Sequence, residues 1–309
     1  MSDKREPAVE LDGITKRFGD VVANDAVDLT LEQGSVHALV GENGAGKTTL
    51  MSVLYGLYEP DAGTISIDGR PRTFDSPRDA IDAGVGMIHQ HFQLVGPMTV
   101  VQNVVLGYEP SQRGLVDEDS AREDIADICS TYGFDVDQHL DTRVEDVGVG
   151  VQQRVEIVKS LYRGADVLIL DEPTAVLTPQ EVESLFDVMN ELADRGRSLI
   201  FITHKLDEAL AVADEITVLR DGESVGTVDA PATDREQLAR MMVGRDVLFD
   251  YPERDTEPGA VTLDVDGLRV SDDRGLEQVG GVDFSVREGE VFGVAGVDGN
   301  GQAELVEAL

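Results

Sequence analysis

One octet limits what this chain can become. Gly41-Glu-Asn-Gly-Ala-Gly46-Lys47-Thr48 follows a short apolar run, Ser35 to Val40, and leads into a helical pattern over Thr48 to Leu57. A Gly-x-x-x-x-Gly-Lys-Ser/Thr loop between a strand and a helix wraps a chain of phosphates. Successive backbone N–H groups at a helix N-terminus form an anion nest there, and glycine alone lets the main chain bend so closely around it. Lys47 places a point charge on the outer phosphates, and the Thr48 hydroxyl is a ligand for Mg²⁺. The competing reading, a Gly-rich turn with no ligand, leaves the strand before it and the helix after it as coincidence.

The neighbouring segments read as alternating strands and helices. Val9 to Ile14 alternates in apolar character and ends at a Phe18-Gly19 turn, Asp28 to Leu31 reads as a strand, and Thr64-Ile-Ser-Ile-Asp-Gly reads as a strand ending in a turn. Residues 118–164 are mostly helical in pattern. Val167 to Leu170 and Ser198 to Thr203 are continuously apolar, as central parallel strands are, and Glu181 to Asp194 is an amphipathic helix between them. Residues 234–243 form a last short helix, and 245–259, with two prolines and many charges, read as a linker. The alternation predicts an α/β domain with a largely parallel core sheet.

The sequence then repeats itself. Asp28-Leu-Thr-Leu-Glu-Gln-Gly34-Ser-Val returns as Asp283-Phe-Ser-Val-Arg-Glu-Gly289-Glu-Val, and Gly41, Gly44 and Gly46 return as Gly296, Gly299 and Gly301, at a constant offset of 255 residues. A second copy of the domain is expected to begin near Val261 and to be cut short at Leu309.

Val167-Leu-Ile-Leu-Asp171-Glu172-Pro is an apolar strand ending in two carboxylates. Neighbours on a strand point to opposite faces, so the two are expected to do different work. Asp171 can complete a Mg²⁺ shell, and Glu172 can orient or deprotonate an attacking water. Phosphoryl transfer needs little more than positioning and charge compensation.

Composition narrows the setting. The chain has 61 acidic residues against 25 basic ones, a net charge of −36, with only five lysines. The acids are spread along the whole chain, so the surface repels itself in dilute buffer and is screened by salt. A salt-rich cytoplasm, as in a halophile, is the preferred reading, and an ordinary acidic cytosolic protein is the alternative. Either way the field opposes binding to nucleic acid, which needs a basic stripe. The single cysteine, Cys129, excludes an internal disulfide framework. No run approaches the ~20 apolar residues that span a bilayer, and the N-terminus lacks the apolar stretch of a signal peptide.

In this order and spacing, these residues resemble the ATP-binding cassette (ABC) ATPases over essentially the whole chain. The resemblance implies a P-loop NTPase fold of the ABC type, with a parallel core sheet and helices, an antiparallel β subdomain and a helical subdomain over about 91–164. It divides the chain into a first nucleotide-binding domain (1–244), a linker (245–260) and the opening of a second domain (261–309). It implies that Phe18 stacks on adenine and that Gly41, Glu42, Asn43, Gly44, Ala45, Gly46, Lys47, Thr48 and Thr49 hold the nucleotide. Mg²⁺ falls to Thr48, Gln90 and Asp171, and catalysis of ATP hydrolysis to Glu172, His204 and Gln90. Gln90 matches the Q-loop glutamine, His204 the switch histidine, and Ala175-Val-Leu-Thr178 the D-loop. Taken singly, Phe18 would read as core, Gln90 as a solvated loop residue and His204 as a strand-end histidine.

A narrower resemblance lies in Met87-Ile-His-Gln-His-Phe-Gln-Leu, Pro97-Met-Thr-Val, Thr174-Ala-Val-Leu-Thr-Pro, Met241-Met-Val-Gly-Arg and Gly293-Val-Ala-Gly-Val-Asp-Gly-Asn-Gly-Gln. These look like the tandem ATPases of simple-sugar and nucleoside importers. That branch implies transmembrane permease subunits as partners, an extracytoplasmic substrate-binding protein beyond them, a second cassette in the same chain, and a peripheral position on the cytoplasmic face of the membrane. The apolar segment from Gln90 to Gly107 suits docking to a membrane helix. Soluble cassettes of DNA repair or ribosome function, and binding-only cassettes, are the competing classes. Nucleoside is slightly favoured over sugar.

The chain departs from the family at two motifs. The signature, L-S-G-G-Q or L-S-V-G-E, should precede Gln152-Gln-Arg154, but the stretch is Val147-Gly148-Val149-Gly150-Val151. Gly148 has no hydroxyl where the signature serine belongs. The trans signature is therefore expected at Gly148, Val149, Gly150 and Gln152. In the second copy Gln302 stands in the place of Lys47, and Ala303 in that of Thr48. In a head-to-tail pair both departures fall in one composite site, which implies one catalytic and one degenerate site. This chain alone is expected to bind ATP and to turn it over slowly.

Overall fold

The computed structural model describes residues 7–90, 92–112, 115–244, 258–271, 275–296 and 300–309. Most of the expected linker, together with His91 and Gly299, lies outside the described residues. The chain falls into two compact units, residues 1–247 and 248–309.

The first unit opens with β1 (Val9–Phe18) and β2 (Val21–Leu31), a long antiparallel pair turned by Gly19. The second strand is longer than Asp28 to Leu31 because pairing with β1 carries it back to Val21. Next come β3 (Val36–Val40) and α1 (Lys47–Leu54), then the hairpin β4 (Ala62–Ile67) and β5 (Arg70–Arg72). The helix stops short of Leu57 because Gly56 turns left-handed, at φ 75°, against the Ser76 carbonyl. After α2 (Pro77–Asp82) and β6 (Val85–Ile88) the chain enters a mainly helical stretch. This holds α3 (Val100–Val105), the short pair β7 (Ser111–Gln112) and β8 (Leu115–Val116), α4 (Glu118–Tyr132) and α5 (Val149–Tyr162). The pattern over 118–164 is interrupted. Gly133 ends α4 in a left-handed cap, and two 3₁₀ turns, Val136–His139 and Val144–Asp146, lead to α5. The unit closes with β9 (Val167–Asp171), α6 (Pro179–Asp194), β10 (Ser198–Thr203), α7 (Leu206–Val212), β11 (Glu215–Arg220), β12 (Glu223–Asp229) and α8 (Arg235–Val243).

Two sheets result. β2-β1-β4-β5 is antiparallel throughout. The central sheet runs β12-β11-β3-β10-β9-β6, parallel except for its edge strand β12. Its five parallel strands are buried on both faces, which explains their apolar runs. Val36, Ala38, Val40, Leu168, Leu170, Leu199 and Phe201 face a core shared with α3 to α8. Their neighbours Leu39, Val167, Ile169, Ile200 and Ile202 face a second core, shared with α1 and the antiparallel sheet. The period of two thus divides each strand between two cores. The site lies at the C-terminal ends of β3, β9 and β10, where an open parallel sheet presents its loops.

The second unit repeats the start of the first. β13 (Val261–Ser271) pairs antiparallel with β14 (Glu277–Arg287), and α9 (Gln302–Ala308) follows. Details recur at the sequence offset or within one residue of it. Asp28 Oδ1 accepts the Gly13 N–H, and Asp283 Oδ1 accepts that of Gly267. Gly46 (φ 98°) and Gly301 (φ 90°) both precede a helix in left-handed backbone, and both lie against a carbonyl of the second strand of their unit's opening hairpin, Ala23 of β2 or Gln278 of β14.

Candidate functional site

The phosphate loop is shaped by contacts that exclude side chains. A Cβ on Gly41 would meet the Leu219 carbonyl and, at 3.1 Å, the Ala45 methyl. A Cβ on Gly46 would collide with the Ala23 carbonyl and approach Asn24 Nδ2 to 2.6 Å. Asn24 Nδ2 also donates to the Gly46 carbonyl at 3.2 Å, tying the loop to β2. Lys47 is only 6% exposed, and its ammonium donates to the carbonyls of Gly41 and Glu42 at 2.7 and 3.1 Å, which holds it across the loop. Burial pushes its pKa down, and Glu172 and Asp171 pull it back up.

A cleft of about 410 Å³ opens over this loop. Asn43, Gly44, Ala45, Gly46, Lys47, Thr48 and Thr49 form its floor, and Gln90, Asp171 and Glu172 stand on its wall. Val21, Val22 and Ala23 of β2 form the rim. Sequence reasoning missed these three; Val21 and Val22, exposed valines beside a turn, were the available signal. Phe18 stands at the end of β1, 42% exposed, with the Tyr58 ring edge-on at 5.1 Å and the Lys16 ammonium 5.6 Å from its centroid.

The two carboxylates face the same cleft, contrary to the expectation that strand alternation sends them apart. Asp171 ends β9, whereas Glu172 has already left the strand at φ 46°. Left-handed backbone costs a non-glycine residue about 1–2 kcal/mol. The Glu172 N–H to Ile202 carbonyl bond of 3.1 Å helps to hold the bend. Glu172 Oε1 then lies 3.0 Å from His204 Nδ1, and Oε2 lies 3.5 Å from Gln90 Nε2. Gln90, Glu172 and His204 therefore converge from the ends of three neighbouring strands, β6, β9 and β10.

Asp171 is 6% exposed. Burial raises its pKa, the adjacent Glu172 raises it further, and the Thr48 hydroxyl and Lys47 oppose the rise. A hydroxyl and a buried carboxylate lining one cleft, beside an ammonium and open to a phosphate loop, are a donor set that fits Mg²⁺. That ion takes one or two protein oxygens and fills its octahedron with phosphate and water.

A second cluster supports His204. Glu208 on α7 accepts Thr174 Oγ1 at 2.7 Å, Lys205 Nζ at 2.8 Å and Thr203 Oγ1 at 3.3 Å. It locks the turn carrying His204 onto the segment just after Glu172. No sequence pattern marked Glu208.

The expected trans-signature residues form the start of α5 and do not line this cleft. Gly148 is its N-cap and gives no side-chain cap bond. Val149 is exposed, and Gln152 Nε2 turns back to the Val147 carbonyl at 2.9 Å.

A parallel sheet with a phosphate loop after β3 and paired carboxylates at the tip of β9 defines a P-loop nucleotide-binding domain. Comparisons carry this further. Residues 24–175 match the family model described as ABC transporter. The chain is 50% identical to the glucose import ATP-binding protein TsgD13 of Haloferax volcanii, an alignment covering 99% of this chain and 60% of that protein. It is 48% identical to the nucleoside import ATP-binding protein NupA of Lactococcus lactis, with 98% and 60% covered, and 47% identical to a ribose import ATP-binding protein of Burkholderia thailandensis, with 97% and 58% covered. The chain thus spans about 60% of the length of these relatives. The solved structure of MJ1267, an ATP-binding cassette of an ABC transporter in its ADP conformation, superposes with a TM-score of 0.67 over 77% of this chain and 99% of that one. At 22% identity that likeness is one of fold. The chain belongs to the ABC transporter ATPase family.

Proposed function

We propose that the chain is the ATP-hydrolysing part of an ABC importer. The observation that carries this is the Glu172 carboxylate, bent out of its strand into the phosphate-loop cleft and held between His204 and Gln90. In this reading the loop amides from Asn43 to Thr49 and the Lys47 ammonium bind the phosphates, and Phe18 receives the adenine. Glu172 orients and deprotonates the attacking water, His204 fixes the Glu172 carboxylate and reaches the γ-phosphate, and Gln90 links that carboxylate to the loop after β6. Thr48, Asp171 and Gln90 would hold Mg²⁺, which supplies charge compensation on the phosphates. Residues 1–244 then form one nucleotide-binding domain, with a helical subdomain over about 91–164. Residues 245–260 form a linker, and 261–309 the opening of a second domain.

The relatives are named for import of glucose, nucleosides and ribose, which supports a nucleoside or simple sugar as cargo. Among the described residues no helix is long and apolar enough to cross a membrane. Passage would belong to transmembrane permease subunits that this chain docks on at the cytoplasmic face, supplied by an extracytoplasmic binding protein. Gly148 without a hydroxyl, and Gln302 and Ala303 in the second copy of the loop, support one working and one degenerate composite site. Equal loss of turnover from Lys47→Ala and Gln302→Ala, in a protein with both halves, would remove that asymmetry.

Co-expression with the permease subunits tests the importer reading. Recovery with membranes, together with phosphate release, supports it. Recovery with RNA or DNA in the soluble fraction would identify a repair or ribosome cassette, and nucleotide binding without phosphate release a binding-only one.

A further inference from the structure

Helix α5 begins without the usual help. Its N-cap, Gly148, has extended backbone (φ −63°, ψ 158°) and no side chain, and its first turn carries no acidic residue. The N–H groups of Val151 and Gln152 reach the Gly148 carbonyl at 3.0 Å each. Those of Val149 and Gly150 come too early in the helix to find a carbonyl behind them.

A carboxylate from another helix stands beside this turn. Glu181, in the first turn of α6, receives the Thr178 N–H and Oγ1 through Oε2, both at 2.9 Å. Its other oxygen is turned to Gly150: a Cβ there would lie 2.7 Å from Oε1 and 3.2 Å from the carboxyl carbon. Thr178 first, through backbone and hydroxyl, and then the Gly150 amide and Arg154 hold the Glu181 carboxyl below the ordinary glutamate range. Two more bonds follow the same seam. Gln153 Nε2, fully buried, donates to the Pro173 carbonyl at 2.9 Å, and Arg154 Nη2 donates to Ser184 Oγ at 2.9 Å. Pro173 is the residue after Glu172, so α5 is fastened to the backbone that carries the hydrolytic carboxylate.

We propose that Glu181 is a positioning residue for the composite nucleotide site, its carboxylate clamping the α5 N-terminus to the Thr178 end of α6 in place of the hydroxyl that position 148 lacks. The role rests on α5 being the helix that faces the nucleotide of the opposing domain. The clamp also accounts for glycine at 150, since a side chain there would expel the carboxylate. Through Glu181 and Gln153, the segment from Pro173 to Thr178 and the start of α5 move as one body, so a shift at Glu172 reaches the α5 N-terminus.

Amide hydrogen exchange over residues 148–152 reads the clamp directly, on wild type, Glu181→Ala, Glu181→Gln and the double variant G148S/E181A. Loss of a charge-assisted bond is expected to speed Gly150 exchange at least about tenfold in E181A. E181Q keeps an oxygen acceptor and should stay within about threefold of wild type. No atom lies within 4 Å of a Cβ at position 148, so serine fits there, and as an N-cap it should restore slow exchange in the double variant. In the protein carrying a complete second half, E181A should lower kcat while leaving nucleotide affinity unchanged, and G148S should recover it. Unchanged Gly150 exchange in E181A would overturn the clamp. Failure of G148S to restore either quantity would reduce Glu181 to a cap of α6 alone. Exchange that responds while turnover ignores every variant would show instead that α5 does not face a nucleotide.

Discussion

Gly46→Ala and Gly44→Ala make a matched pair. Both glycines are left-handed, at φ 98° and 86°. Alanine at either pays the left-handed penalty of about 1–2 kcal/mol. At position 44 a Cβ meets nothing within 4 Å, so the cost stops there. At position 46 the Cβ meets the Ala23 carbonyl and lies 2.6 Å from Asn24 Nδ2. Van der Waals contact needs about 3.5 Å, so loop and β2 must part by roughly 1 Å. Overpacking of this kind adds about 1–3 kcal/mol. G46A is therefore expected to lose ~2–5 kcal/mol and G44A ~1–2 kcal/mol. The displaced amides should also weaken nucleotide binding by more than about tenfold in G46A, as in other sites where small displacements are costly. Urea unfolding and equilibrium nucleotide titration of the two variants measure both effects. Equal destabilisation by the two substitutions would refute the claim that close approach to Ala23 fixes the loop.

Three further outcomes follow from the charges and burial. A carboxyl whose native pKa is raised loses stability as pH climbs past its unfolded value, and the whole penalty is present above its native value. Asp171→Asn is thus expected to raise the urea midpoint at neutral pH, to give no gain near pH ~3 where both forms are neutral, and to weaken Mg²⁺-dependent nucleotide binding; a lower midpoint at neutral pH would contradict this. Cys129 is buried and its thiol is pushed up to about 11, so a thiol reagent at neutral pH should label it only on unfolding, and rapid native labelling would count against its place in the core. With a net charge of −36, the unfolding temperature should climb steeply from dilute buffer to molar KCl, where the screening length falls to about 3 Å; a flat or falling curve would dismiss self-repulsion as the governing term.

The parts of the site legible in the sequence were those whose chemistry depends on local order. The octet from Gly41 to Thr48 needs only a strand before it and a helix after it, and both are present. The central strands declared themselves by unbroken apolar runs, because each is covered on both faces. The repeat survives even in single contacts, such as the bonds of Asp28 and Asp283, 255 residues apart, to Gly13 and Gly267, 254 apart. What escaped was tertiary. Strand alternation predicted that Asp171 and Glu172 diverge, and a single left-handed residue turned them into one cleft. The Val21 to Ala23 rim belongs to a strand that β1 pairing extends, which no local pattern encodes. Glu208 and Glu181 sit 36 and 9 residues beyond Glu172 and Glu172 alone gives no hint of either. Their work appears only when α7 folds back on Thr174 and α6 lies against α5.

The central claim is that Glu172 performs the hydrolytic step. Mg²⁺–ATP affinity and phosphate release are to be measured together, in molar KCl, for wild type and Glu172→Gln in the protein with a complete second half. The account expects ATP affinity within about threefold in both, and phosphate release at least about 100-fold slower in the variant, the loss typical of a removed general base. Phosphate release that survives Glu172→Gln unchanged would contradict it, and the convergence of Gln90, Glu172 and His204 would then need another purpose.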